Sequence, residues 1–304
     1  MSENKKNPNN GVKIYSKGEL VEEKIDKQKA LKFLCINPVG KLIGWFLNQS
    51  WFSWLVGVWA DSSISKFSIK KFIKKYNINV SESEKEVFEF KNFNDFFIRK
   101  LKTTARVIKR DPDVVISPCD SKAFFIKNIK QQDSFFVKNN SFVLESFLQD
   151  KNLASVYTNG PLMLFRLAPY DYHRIHFPVD CIPSEYKVIN GIYNSVNPIV
   201  YRAGYQPLTE NERHLITLKT EKFSEVIMVV VGARCVGKIV ETYKPNTQCC
   251  KGDEVGYFSF GASSIVLLFK EGLISCEDEI IKHSLEDYET VVQFGEVVAR
   301  KRLT

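Results

Sequence analysis

Histidine is scarce in this chain, with four in 304 residues. A site built on several imidazoles therefore has few residues to draw on. The seven cysteines (Cys35, Cys119, Cys181, Cys235, Cys249, Cys250 and Cys276) are odd in number, and none falls in a Cys-x-x-Cys pair. That pattern argues against a zinc ribbon and against a disulfide framework, and suits a reducing compartment. The opening stretch "MSENKKNPNNGVKIYSKGEL" lacks the apolar run of a secretory signal. No internal repeat, low-complexity tract or Gly-x-Ser-x-Gly elbow occurs. With 44% hydrophobic and 26% charged residues, the composition is that of a folded globular protein, neither disordered nor polytopic.

The charge that is present is unevenly placed. Lys66 to Arg110 holds 13 Lys and Arg against 5 Asp and Glu, a surplus that equals the net +8 of the whole chain. Such a stretch meets an anionic partner or simply faces water. Beside it, "LIGWFLNQSWFSWLVGVWA" (Leu42 to Ala60) has no charged residue and contains all four tryptophans, Trp45, Trp51, Trp54 and Trp59. Its length approaches a membrane span. Yet Asn48, Gln49, Ser50 and Ser53 fall mid-segment, where a span is driest, and tryptophan favours the headgroup interface. A segment lying on an anionic membrane fits better than one crossing it, with a helical hairpin whose tryptophans pack inward as the alternative.

Residues 1–30 are polar and read as loose. Residues 31–78 read as helical, with lysine pairs alternating with Phe, Ile and Tyr in "SKFSIKKFIKKYNI". A short amphipathic helix is expected around Phe93–Leu101. After Val114 come short β-branched runs, among them "VVISP", "AFFIKNI", "LMLFRLAP", "VIMVVVGARCVGKIVE" and "SIVLLF", punctuated by Pro, Gly, Asn and Asp. This is the texture of antiparallel sheets. The expected fold class is α+β, a helical N-terminal region followed by a mainly antiparallel β body. The domain expectation is a polar tail and helical membrane-associating region over 1–80, then a catalytic domain over 81–304.

Two of the four histidines, His173 and His176, lie together in "PYDYHRIHFP". Metal ligation is one reading, but no neighbouring Cys, His or Glu cluster supplies further ligands at familiar spacing, so no metal is expected. Proton transfer is the other reading, since imidazole titrates near neutral pH. Asp120 follows a strand in "VVISPCDSKAFF", and Ser263 interrupts the apolar run "GYFSFGASSIVLLF". Carboxylate, imidazole and hydroxyl are the parts of a nucleophile–base–orienter set. Ordinary turn roles for Asp120 and for the small residues around Ser263 are the bland alternative.

Six segments in order resemble the phosphatidylserine decarboxylase proenzymes. They are "FNDFFIRKLKTTAR", "SPCDSK", "DYHRIHFP", "NERHLITLKT", "VVVGARCVGKI" and "KGDEVGYFSFGASSIVLLF", spanning Phe93 to Phe269. The chain departs from the family pattern at Ala262, where glycine is usual, and at Ser264 in place of threonine. Ser121 and Lys238 stand where Gly and Ser are usual. The resemblance implies self-cleavage between Ala262 and Ser263 into a large chain 1–262 and a small chain 263–304. Asp120 would orient His176, His176 would deprotonate Ser263, and Ser263 would become a covalent pyruvoyl group. That cofactor would decarboxylate phosphatidylserine to phosphatidylethanolamine through a Schiff base, with His173 as the proton donor. Implied partners are phosphatidylserine, an anionic membrane surface and the two chains of the precursor, with a homodimer left open and no nucleic acid. The expected location is peripheral on a membrane, facing a reducing compartment. Two other readings use the same residues: a serine hydrolase on Asp120, His176 and Ser263, and an unprocessed, non-catalytic membrane-binding relative.

Overall fold

The computed structural model describes residues 12–23, 25, 28–129, 143–233, 238–261 and 263–302. Ala262 and Cys235 lie outside the described residues.

The described chain begins with a hairpin, β1 (Lys13–Ser16) and β2 (Glu19–Glu22). Lys17 and Gly18 close it, with φ of 52° and 80°. Two successive residues in that region make the tight turn whose twist matches a hairpin. The expectation of a loose polar segment over residues 1–30 is thus corrected for 13–22. Val12 and Ile14 are buried with Ile199, and this apolar anchoring outweighs the polar character of the neighbours.

Four helices follow: α1 (Gln28–Ile36), α2 (Pro38–Leu47), α3 (Ser50–Asp61) and α4 (Phe67–Tyr76). Pro38 opens α2, and the Asn37 side chain accepts the N–H groups of Val39 and Gly40 at 2.9 and 3.2 Å. Both are standard helix-start devices. At Gly40 a Cβ would come within 2.0 Å of the Phe33 carbonyl, so the α1–α2 corner needs a glycine. The charge-free stretch is therefore two helices, broken at Asn48 and Gln49. Asn48 is buried and hydrogen-bonds Asn194, which explains polar residues amid so many apolar ones. Among the described residues no single helix is long and apolar enough to cross a membrane; α1 and α2 qualify only together and are bent by 105°. The tryptophans do not pack into a core. Trp45 and Trp54 are 58% and 63% exposed, and Trp51 and Trp59 are also exposed. In α4, Ile69 is buried while Lys70, Lys71, Lys74 and Lys75 point to solvent. Its end is set by Asn77, left-handed at φ 52°.

Next comes α5 (Phe93–Phe97), shorter than its expected 93–101 span and capped by Asn92, whose side chain accepts the Asp95 N–H. Then follow β3 (Val114–Ile116), β4 (Ser121–Ile126), α6 (Leu144–Leu148), α7 (Lys151–Tyr157), β5 (Leu162–Leu167) and β6 (Arg174–His176). Two short strands, β7 (Ile182–Pro183) and β8 (Lys187–Ile189), precede α8 (Pro198–Arg202) and α9 (Pro207–Glu210). The chain continues with β9 (Arg213–Lys219), β10 (Glu225–Gly232), β11 (Ile239–Glu241), β12 (Glu254–Phe258) and β13 (Ser263–Leu268). It closes with β14 (Ile274–Cys276), α10 (Asp278–Leu285), β15 (Glu289–Val292) and β16 (Val297–Lys301).

Ten strands form one sheet in the order β2-β1-β15-β4-β5-β13-β10-β9-β7, with β8 also on β9. Only the β1–β15 pairing is parallel. Two three-stranded sheets, β11-β12-β6 and β14-β16-β3, face it. The fold is α+β, as the strand texture implied. One apolar cluster fills the space between the large sheet and the small ones, and a second lies under α6 to α9 on the opposite face. The central strands are buried on both faces, which is why they read as continuous apolar runs.

The run "GYFSFGASSIVLLF" is not one interrupted strand. β12 belongs to a small sheet and β13 to the centre of the large one, so the chain leaves one sheet for the other after Phe258, through residues 259–261 as far as it is described. Small residues occur at this passage. Gly261 has φ 152°, a conformation that residues with a Cβ rarely adopt.

Candidate active site

Ser263 is the first residue of β13, fully buried, flanked by Leu167 of β5 and Gly232 of β10. Side chains alternate along a strand, so Ser263 shares the inner face with Ile265 and Leu267. Ser264 shares the outer face with Val266 and Leu268. The Ser263 Oγ makes no hydrogen bond among the described residues. A buried hydroxyl left unpaired costs about 1–3 kcal/mol, so its presence calls for a chemical reason.

His173 precedes β6 and is fully buried. Its Nδ1 lies 2.9 Å from the Asp171 carbonyl oxygen. A carbonyl only accepts, so Nδ1 carries the proton and Nε2 presents a bare lone pair. Among the described residues Nε2 makes no hydrogen bond of normal geometry, and the Gly261 backbone is its polar neighbour. Phe97 packs on the other side, 4.0 Å between centroids. Burial pushes the His173 pKa down to about 3, only partly offset by the Asp171 carbonyl. The imidazole is therefore neutral at physiological pH.

His176, in β6, is held at both nitrogens. Nδ1 donates to the Gly252 carbonyl at 2.9 Å, and Nε2 accepts from the Tyr172 hydroxyl at 3.1 Å. Its ring stacks on Phe294, 3.8 Å between centroids. Burial lowers its pKa to about 4.

Asp120 sits at the head of β4. Its carboxylate accepts from Arg106 Nε at 3.1 Å and Nη2 at 2.5 Å, and from the Phe294 backbone N–H at 2.8 Å. Arg106 also donates to Glu82 at 2.9 Å, and these two carboxylates keep it charged. Phe294 thus bridges Asp120 and His176, giving its N–H to one and its ring face to the other. The structure brings Asp120 and His176 into one cluster and His173 to the Gly261 backbone. Among the described residues no hydrogen bond links Asp120, His176 and Ser263 to one another.

Sequence reasoning did not single out Phe97, Tyr172, Arg106 or Phe260. Phe97 and Arg106 lie in "FNDFFIRKLKTTAR" and Tyr172 in "DYHRIHFP", so their segments carried a signal without a role. Nor did it find the charged layer behind Ser264. Arg166, opposite Ser264 in the register, is clamped between Glu289 at 2.5 Å and Glu23 at 2.9 Å, and Lys122 holds Asp171 at 2.5 Å. Among the described residues no group of three or more His, Cys, Asp or Glu is placed to hold a metal ion.

Comparison with known proteins agrees with these motifs. The phosphatidylserine decarboxylase family profile matches residues 93–300. A phosphatidylserine decarboxylase proenzyme of Fusobacterium nucleatum is 41% identical over 280 residues, covering 92% of this chain and 93% of that protein. Proteins of the same name from Clostridium botulinum and Chlamydia pneumoniae are 39% and 38% identical, each over more than nine-tenths of both chains. By extent and identity of match, the chain belongs to the phosphatidylserine decarboxylase family.

Proposed function

We propose that this protein is a self-processing precursor of a pyruvoyl-dependent phosphatidylserine decarboxylase. The observation that carries the reading is the buried Ser263 hydroxyl, unpaired among the described residues, at the head of a central strand and two residues after a glycine at φ 152° whose backbone meets His173. A hydrolase would present its serine at an accessible elbow; this one is enclosed.

In the first stage His176, in the field of Asp120, takes the Ser263 proton once the Tyr172 hydroxyl releases Nε2. The Ser263 oxygen attacks the carbonyl carbon of residue 262, and the peptide C–N bond breaks to leave an ester. Removal of the Ser263 α-proton expels residue 262 as a new C-terminal carboxylate. Hydrolysis of the remaining enamine consumes water, releases ammonia and leaves a pyruvoyl group at position 263. The surroundings suit such a group, because residue 263 is fully buried and shares the inner face of β13 with Ile265 and Leu267, neither of which can capture a ketone.

In the second stage the pyruvoyl group supplies an electron sink for the loss of carbon dioxide. His173 does the proton work. Its neutral Nε2 accepts the proton that the serine ammonium of the headgroup must lose, and later returns it to the α-carbon. Phe97 fixes the ring in place and the enclosure keeps water from competing.

The substrate lies in a bilayer, and the protein carries the means to reach one. The exposed tryptophans of α2 and α3 suit the headgroup layer, and the four solvent-facing lysines of α4 suit an anionic surface. We infer peripheral attachment, on a membrane face in a reducing compartment. Mass spectrometry of the purified protein tests the reading directly. It is supported by two chains, the smaller beginning with pyruvoyl at position 263, and by a Ser263→Ala variant that stays whole. A single intact wild-type chain that still cleaves esters identifies the hydrolase, and one that does nothing identifies the unprocessed relative.

A further inference from the structure

Asp61 ends α3 with a carboxylate, an unfavourable charge at a helix C-terminus. Two side-chain amides answer it. Asn94 Nδ2 donates to Asp61 Oδ1 at 2.8 Å, and Asn92 Nδ2 donates to the Asp61 carbonyl at 2.9 Å. The other end of the Asn94 amide faces the opposite way, where Oδ1 accepts the backbone N–H of Phe260 at 3.1 Å. The amide orientation follows from its partners, since an N–H needs an acceptor and a carboxylate needs a donor. Phe260 stands three residues before Ser263. Its ring packs against Phe93 and Phe97 of α5, at 5.0 and 5.1 Å, and against Trp59 of α3 at 6.4 Å. One side chain therefore joins the end of the tryptophan-bearing helix to the backbone that passes between the two sheets.

We propose that Asn94 is a positioning residue through which the seating of α3 on a lipid surface sets the geometry of residues 259–261, which lead to Ser263. The proposal rests on the reading of Ser263 as the self-processing residue. Attack on a peptide carbonyl demands alignment to a fraction of an ångström, and a misplacement of about 1 Å costs on the order of 100-fold in rate. The α3 helix presents Trp51 and Trp54 to the exterior and ends at Asp61, which Asn94 and Asn92 hold. Lipid contact that fixes the helix also fixes Asn94, and with it the Phe260 backbone. Cleavage of the precursor is faster on an anionic surface as a result.

The test uses full-length precursor made by cell-free translation and pulse-labelled, with and without phosphatidylglycerol vesicles, and follows chain cleavage on gels. The wild type should cleave faster with vesicles. Asn94→Asp turns a second carboxylate toward Asp61 and should slow cleavage about 10- to 100-fold. Combining it with Asp61→Asn exchanges donor and acceptor across the joint and should restore both rate and vesicle response. Asp61→Ala, at an exposed position that spares the Phe260 bond, should lose the vesicle response while melting like wild type. The proposal is overturned if the exchanged pair does not recover, or if Asp61→Ala responds to vesicles as wild type does. A wild type that never cleaves removes the processing reading itself and the joint with it, whereas a wild type that cleaves without regard to vesicles removes the joint alone.

Discussion

The hydroxyl of Tyr172 lies 3.1 Å from Nε2 of His176 and occupies the one lone pair that this ring could turn on a serine. In the proposed mechanism His176 acts as the Ser263 base only when that bond opens. Tyr172→Phe should accordingly raise the rate of precursor cleavage severalfold, read as the half-time on gels. It should also cost about 1 kcal/mol of stability through the lost hydrogen bond. Slower cleavage in a folded Tyr172→Phe variant would assign the tyrosine a part in the proton transfer instead.

In the proposed mechanism the two histidines divide the work. His176→Ala should remain a single chain for want of a base. His173→Ala should cleave and form the pyruvoyl group, yet release carbon dioxide from phosphatidylserine about 10²–10⁴-fold more slowly. The bare Nε2 of His173 beside Gly261 makes the reverse outcome informative. If His173→Ala stays whole while His176→Ala matures, the roles are exchanged.

Both imidazoles are depressed by burial, to about 3 and about 4, below the ordinary 6.5. Between pH 6.5 and about 4 the unfolded chain binds protons at these positions that the folded chain refuses. Unfolding free energy must fall as pH falls through that window, by about 1.4 kcal/mol per pH unit for each histidine. Below about 4 the His176 contribution levels off. Urea unfolding at pH 7 and pH 5 measures the slope. His176→Gln, which cannot titrate but can still meet Gly252 and Tyr172, should flatten it by about one proton's worth.

Attachment to vesicles should depend on both salt and tryptophan. Each lysine near an anionic surface contributes about 1 kcal/mol at low ionic strength, so raising salt should release the protein from vesicles. Replacing Lys70, Lys71, Lys74 and Lys75 by Gln should abolish most of the salt dependence. Trp54→Ala, at the most exposed of the four tryptophans, should weaken binding without shifting the melting temperature. Release only by detergent would mean that the segment inserts rather than lies on the surface.

Much of this was legible in the residues. The charge-free stretch from Leu42 to Ala60 announced helix, and the polar residues in its middle mark the break between α2 and α3. Apolar runs such as "VIMVVVG" and "SIVLLF" announced strands, and their lack of alternation matches the burial on both faces that the sheet gives them. The motif segments singled out Asp120, His173, His176 and Ser263 before any geometry. The hairpin at 13–22 was missed although Lys17-Gly18 between alternating residues carried the signal, because the polar composition around it was given more weight.

Tertiary structure alone decided which imidazole meets the passage between the sheets. His173 and His176 are three apart and chemically identical in sequence. The pairing of β6 with β12 turns one ring toward Gly261 and the other toward Gly252 and Phe294. It decided likewise that β12 and β13 lie in different sheets, that Phe294 connects Asp120 to His176, and that Asn94 reaches both Asp61 and Phe260. Each relation joins segments distant along the chain through strand register or a backbone hydrogen bond. A strand's side chains reverse faces with every single-residue shift of register, so such contacts are set only when the whole sheet is assembled.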